Sequence, residues 1–166
     1  IILNNLNAKI FGFSLKPKKK SLFNQSKIGK NLSSNTFADI SNIRLLKKKI
    51  KTIKPEIIFH LAAQPLVIDS YKNPLETFQT NIMGTVNLLE SIRDVNSIKS
   101  VVIITTDKVY KINKKNSIYS ESDELGGYDP YSSSKVGSEI VVNSYVNSFF
   151  KKTILKNRIS TVRAGN

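Results

Sequence analysis

The chain has 166 residues, with 26 Lys and Arg against 12 Asp and Glu, for a formal net charge of +14. That length fits a single domain, and a hydrophobic share of 40% supports a core and is too high for intrinsic disorder. With no Cys and one His, His60, the sequence excludes a disulfide scaffold, a thiolate metal site, a cysteine nucleophile and a multi-histidine zinc site, so no metal is expected.

No apolar run approaches the roughly 18–20 residues of a membrane span, because Lys, Asn or Asp interrupts each one. The opening Ile-Ile-Leu gives way at once to Asn4 and Asn5, without the basic region or small-residue cleavage site of a signal peptide. No membrane contact is expected, and a cytoplasmic location is. The chain starts with Ile rather than Met, and reads as an internal segment.

The charge is unevenly placed. Residues 1–60 carry 13 basic and 2 acidic side chains, and residues 61–166 carry 13 and 10, giving balances of +11 and +3. The runs Lys18–Lys19–Lys20 and Lys47–Lys48–Lys49 raise the alternative of a polyanion-binding module. No aromatic residues interleave them and no recognition-helix motif accompanies them. They read as solvated positions in a chain crowded with Lys, Asn and Ile, and no nucleic-acid partner is expected.

Periodicity then gives strands and helices in alternation. Residues 9–14 (KIFGFS) read as a strand, ended by Pro17 and the lysine run, and residues 36–38 as a short second strand. Ser41 is the expected N-cap of a helix to about Thr52, with Ile43, Leu46 and Ile50 on one face. Beyond Pro55, residues 56–62 (EIIFHLA) form a buried-type strand. A helix over 75–95 follows, with Phe78, Ile82, Val86, Leu89 and Ile92 spaced by three or four. Residues 100–105 (SVVIIT) suit a strand covered on both faces. Asp129–Pro130 introduces a helix over 131–149, and residues 158–163 make a last strand. This β-α-β-α-β-α-β order predicts a doubly wound parallel α/β sheet.

In such a sheet ligands sit beyond the carboxyl ends of the strands. Four polar clusters fall there: Ala38–Asp39–Ile40, His60–Leu61–Ala62–Ala63–Gln64, Thr105–Thr106–Asp107–Lys108 and Arg163–Ala164–Gly165–Asn166. His60, inside an apolar strand, reads as a satisfied core residue. The more specific feature is Tyr131–Ser132–Ser133–Ser134–Lys135 at a helix start, where i, i+4 spacing puts phenol and ammonium on one face. A nearby ammonium favours the phenolate and lowers its pKa from about 10 towards neutrality. Such a phenol can exchange a proton with a sugar hydroxyl while hydride leaves the same carbon. Thr106, closing a buried strand upstream, can hydrogen-bond the same oxygen.

The segments 60–67 (HLAAQPLV), 70–90 (SYKNPLETFQTNIMGTVNLLE), 105–110 (TTDKVY), 124–135 (ELGGYDPYSSSK) and 163–166 (RAGN) carry a family likeness. From about Ile10 onward the chain resembles the extended short-chain dehydrogenase/reductases, and within them the CDP-glucose 4,6-dehydratases. Lys108 stands where dTDP-glucose 4,6-dehydratases usually have Glu. The resemblance implies a partial, NAD-binding Rossmann-like domain over 1–166 and an internal redox cycle on a nucleotide sugar.

By that likeness Tyr131 handles the sugar 4-hydroxyl proton, Lys135 tunes Tyr131 and holds the nicotinamide ribose, and Thr106 bonds the 4-oxygen. Asp107 protonates the departing C6 hydroxyl, and Lys108 is the base at C5. Asp39 and Ile40 are implied adenine contacts, and Leu61, Ala62 and Ala63 let the backbone approach the cofactor. Gln64 and Asn166 are implied substrate contacts, and Asn81 braces the active-site strand. A homodimer through helices 75–95 and 131–149 is also implied.

Departures from the pattern are equally visible. The Gly-rich turn expected before residues 9–14 and the substrate region expected after Asn166 are absent from the chain, so a catalytically incompetent fragment is a second reading. Ser14 ends its strand with no Asp or Glu to read a ribose hydroxyl, which leaves NAD against NADP to the family analogy. Ile68 stands where Arg is expected, and Val109 where Cys is usual.

Overall fold

The computed structural model describes residues 2–112 and 118–165. Asn166, an expected substrate contact, lies outside the described residues. A short helix α1 (Ile2–Asn5) leads into β1 (Phe11–Ser14), followed by α2 (Leu22–Gln25), a 3-10 turn (Ile28–Asn31) and β2 (Ser34–Phe37). Then come α3 (Ile43–Ile53), β3 (Ile57–His60), α4 (Val67–Lys72), α5 (Pro74–Phe78), a π-helical turn (Gln79–Met83) and α6 (Gly84–Ile92). The chain closes with β4 (Ser100–Thr106), α7 (Pro130–Tyr145), a second π turn (Val146–Phe150) and β5 (Ile159–Ala164).

Each of these pairings is parallel, as the element order requires. β1 pairs with β2 in one sheet, and β3, β4 and β5 lie side by side in a second, with β4 central. The expected parallel α/β architecture is therefore present, but the ladder is interrupted between β1 and β3. The central strand explains its own sequence: Val101 and Ile103 are almost fully buried on one face, and the terminal Thr105 and Thr106 are buried too. A strand sandwiched on both faces tolerates such a continuous apolar run.

Helix α3 turns Leu46 and Ile50 into the core, where they meet Leu88, Leu89 and Ile92 of α6. Its N-cap is Asn42 rather than the expected Ser41: Asn42 Oδ1 accepts from the Leu45 amide at 3.1 Å. Both residue types cap well, so the sequence alone does not choose between neighbours. The single helix expected over 75–95 is three pieces, because a π turn adds one residue to the coil at 79–83. The helix expected over 131–149 likewise ends in a π turn, which brings Phe150 into the core.

Candidate functional site

The start of α7 is built by local chemistry. Pro130 occupies the first turn, where its missing N–H costs nothing. Asp129 caps the helix, its carboxylate accepting from the Ser132 amide at 3.0 Å and from the Ser132 hydroxyl at 2.5 Å. Just upstream Gly127 has φ +95° and lies so close to Ser133 that a Cβ would meet the Ser133 amide nitrogen at 2.8 Å. This tight entry sets Tyr131 and Lys135 facing the carboxyl end of the sheet.

There a cleft of about 190 Å³ opens, lined by Leu61 and Ala63 after β3, Thr106 at the end of β4, Tyr131 and Lys135 on α7, and Ala164 in β5. Thr106, Tyr131 and Lys135, singled out in sequence, thus line one cleft. Lys135 is 7% exposed and its Nζ donates to the Ile104 carbonyl at 3.0 Å. Burial disfavours the ammonium and pushes its pKa down to about 8.

Thr106 donates to Asp107 Oδ1 at 3.1 Å and accepts from the Lys108 amide at 3.4 Å. Asp107 and Lys108 form an ion pair at 3.6 Å, with side chains 44% and 38% exposed. An exposed pair of this kind contributes at most about 1 kcal/mol, so both groups remain available to a ligand.

From the segment 60–64, Leu61 and Ala63 line the cleft. Leu61 is open to solvent, while Ala62 packs against the core. Gln64 spends its amide inside the protein: Nε2 donates to the Leu66 carbonyl and the Thr77 hydroxyl, and Oε1 accepts from the Leu66 amide. Asn81, 2% exposed in the π turn, clamps Gln64 through both main-chain groups. Its Oδ1 accepts from the Gln64 amide at 2.8 Å, and its Nδ2 donates to the Gln64 carbonyl at 3.1 Å and to Ser134 Oγ at 2.7 Å.

Asp39 and Ile40 do not line this cleft; they follow β2 in the other sheet. Asp39 Oδ1 is engaged by the Ser41 amide at 2.7 Å, and Ile40 is buried against Gly84, its carbonyl accepting from Asn87 at 3.1 Å. His60 is the satisfied core residue expected: it is 6% exposed, and Nε2 lies 3.3 Å from the Thr85 hydroxyl. Burial first, and then the charge on Lys135, lower its pKa to about 4.

Sequence reading missed Glu139, which is buried one turn beyond Lys135 and salt-bridged to Arg163 at 2.7 Å. Its spacing was the available signal, since Tyr131, Lys135 and Glu139 repeat every four residues along one helix face. Thr105 also donates to Glu139, at 2.8 Å, and the Arg163 guanidinium lies over the Tyr110 ring at 4.6 Å. Among the described residues, no cluster of three or more potential metal ligands occurs, and no helix is long and apolar enough to cross a membrane.

A parallel sheet whose central strand ends in a hydroxyl facing a Tyr-x-x-x-Lys helix defines the chain as a short-chain dehydrogenase/reductase fold. Comparison with known proteins narrows this. The profile of the family described as GDP-mannose 4,6 dehydratase matches residues 14–164. CDP-glucose 4,6-dehydratase of Salmonella typhimurium is 42% identical over 99% of this chain and 46% of its own length. The chain therefore belongs to the GDP-mannose 4,6 dehydratase family of nucleotide-sugar dehydratases and epimerases.

The chain spans less than half the length of that relative. dTDP-D-glucose 4,6-dehydratase of Dictyostelium discoideum is 35% identical over 67% of the chain and 28% of its own length. Among solved structures, UDP-glucose 4-epimerase of Thermotoga maritima with UDP-glucose superposes with TM-score 0.82 at 21% identity, over 98% of this chain and 49% of that one. dTDP-glucose 4,6-dehydratase of Bacillus anthracis in complex with NAD gives TM-score 0.77 at 25% identity, over 98% and 48%.

The residues present suit a dinucleotide. Alanines at 63 and 164 leave the cleft wall open to close backbone approach, and a buried amine whose Nζ reaches a main-chain carbonyl lines the same cleft as Tyr131.

Proposed function

We propose that the chain carries the cofactor-binding and proton-handling part of an NAD-dependent CDP-glucose 4,6-dehydratase. The observation supporting this most directly is the shared cleft of Thr106, Tyr131 and Lys135, with the Asp107–Lys108 pair following at once in sequence. NAD, when bound, supplies the acceptor that takes a hydride from the sugar and returns it. Leu61, Ala62 and Ala63 would hold its nicotinamide half, Lys135 would hold its ribose, and Asp39 and Ile40 are the proposed adenine contacts.

Tyr131 accepts the 4-hydroxyl proton, and Thr106, turning its hydroxyl from Asp107 Oδ1, donates to the 4-oxygen when substrate is bound. Lys135 lines the same cleft one helical turn beyond Tyr131. The 4-ketone acidifies C5–H. Once the Lys108 ammonium has passed a proton to the Asp107 carboxylate across their pair, the neutral amine would take the C5 proton and the carboxylic acid would protonate the C6 hydroxyl as water leaves. A neighbouring acid and base directly after the Thr106 hydroxyl favour dehydration over simple epimerisation. Asn81 holds the 64 turn against α7 during these steps. By the family likeness, Gln64 and Asn166 are the proposed substrate contacts.

A second copy of the chain pairs through helices 75–95 and 131–149, which expose Leu75, Met83, Ile140 and Phe149. The test is the product of the whole gene incubated with CDP-glucose, UDP-glucose and dTDP-glucose under mass spectrometry. Loss of one water from CDP-glucose in preference to the others is expected. An unchanged mass for all three contradicts the reading.

A further inference from the structure

The segment 61–63 that borders the cleft is tied down at both ends to one residue, Asn81. At its far end Gln64 is clamped by the Asn81 side chain. At its near end His60 reaches the same residue by another route. The Thr85 hydroxyl donates to the Asn81 carbonyl at 2.7 Å. A hydroxyl has one proton, and here it is committed. At the 3.3 Å contact with His60, Thr85 Oγ1 is therefore the acceptor, and the donor is His60 Nε2–H.

The contact therefore puts a proton on Nε2, and burial keeps the ring neutral at pH 7, leaving Nδ1 bare. The Asn81 carbonyl also accepts from the Ser138 hydroxyl at 2.9 Å, while Asn81 Nδ2 donates to Ser134. Ser134 and Ser138 flank Lys135 on α7, and Ser134 Oγ donates to the Tyr131 carbonyl at 2.6 Å. An unbroken set of hydrogen bonds thus runs from β3, through α6 and the π turn, to the helix bearing the phenol. Asn81, Thr85, Ser134 and Ser138 are each at most 2% exposed, so water does not substitute for the missing partner.

We propose that His60 and Thr85 are positioning residues, which hold segment 61–63 at a fixed distance from Tyr131 through Asn81. His60 touches neither substrate nor cofactor in this account. The kinetic side of the proposal rests on the dehydratase reading; the hydrogen-bond side does not.

Two measurements test it. With a single histidine in the chain, a long-range nitrogen–proton correlation spectrum contains one imidazole. At pH 7 protonation of Nε2 is expected, and an Nδ1–H tautomer overturns the proposal. In the whole gene product, Thr85→Val keeps the shape of the side chain and removes its hydroxyl. The variant is expected to lose about 10- to 100-fold in kcat on CDP-glucose, as small misplacements of reacting groups do, with KM held within about twofold.

Thr85→Ser restores the hydroxyl and is expected to restore kcat. Equal kcat in wild type and Thr85→Val, or equal loss in Val and Ser variants, overturns the proposal. If no nucleotide sugar is turned over at all, the dehydratase reading fails by itself. Hydrogen exchange at the Gln64 amide then decides this inference. Faster exchange in Thr85→Val with protection kept in Thr85→Ser supports it, and unchanged exchange in both overturns it.

Discussion

Arg163 grips Glu139 with a two-pronged fork, Nε lying 3.0 Å from Oε1 and Nη2 2.7 Å from Oε2. The pair joins β5 to α7 beside the cleft, and Thr105, opposite Arg163 in the sheet, completes it. The carboxylate raises the Arg163 pKa further above its ordinary value, so the guanidinium is charged throughout the working range.

Breaking one side of so buried a pair leaves the other charge without compensation. Glu139→Ala is expected to lower unfolding stability by about 3 kcal/mol in urea titration, and Arg163→Ala by a similar amount. Each side-chain pair here is shared, so the double variant loses less than the sum. Strict additivity of the two losses contradicts the coupling.

Asn81 makes a separate prediction. Asn81→Leu removes the partner of the Gln64 amide and of the Gln64 carbonyl in a site 2% exposed. Each unpaired buried group costs about 1–3 kcal/mol, so a loss of roughly 3 kcal/mol is expected by denaturant titration. A loss under about 1 kcal/mol means the turn re-pairs elsewhere.

The pH dependence of stability has two limbs. His60 has a folded pKa of about 4 against an ordinary 6.5, so between these values the unfolded chain binds more protons. Stability from this group is present above pH 6.5 and falls as pH drops towards 4; the full effect is on the order of 3 kcal/mol. Lys135, lowered to about 8 from 10.5, acts likewise at the alkaline end. There the unfolded state again holds the extra proton, so stability rises with pH from 8 to 10.5. Denaturant midpoints across pH check both, and His60→Gln is expected to flatten the acid limb alone.

How much of this was readable in the sequence depends on the range of the interactions. β4 announced itself because a strand covered on both faces needs an unbroken apolar run, and Asp129–Pro130 marked a helix start through local capping chemistry. The Tyr131–Lys135 relationship followed from helix geometry alone. The π turn at 79–83 did not, because the spacing of Phe78, Ile82 and Val86 satisfies an α-helix equally well. α4 was missed because six residues after Pro65 carry too little periodicity to register. Glu139 and Arg163 read as ordinary polar residues 24 positions apart, and only the sheet brings them together.

Dimerisation is tested by light scattering on the whole gene product. Ile140, 59% exposed on α7, sits on the proposed interface. A mass of two chains is expected, with Ile140→Glu shifting it to one. A monomeric wild-type protein contradicts that part of the account.

The most direct test of the central claim, that Tyr131 beside Lys135 and Thr106 drives an internal redox cycle, uses CDP-glucose carrying deuterium at C4. The product of the whole gene is expected to lose water and to carry the deuterium in its C6 methyl group. Tyr131→Phe is expected to slow that transfer at least about 10²-fold. Deuterium retained at C4, or transfer at the wild-type rate without the phenol, contradicts the account.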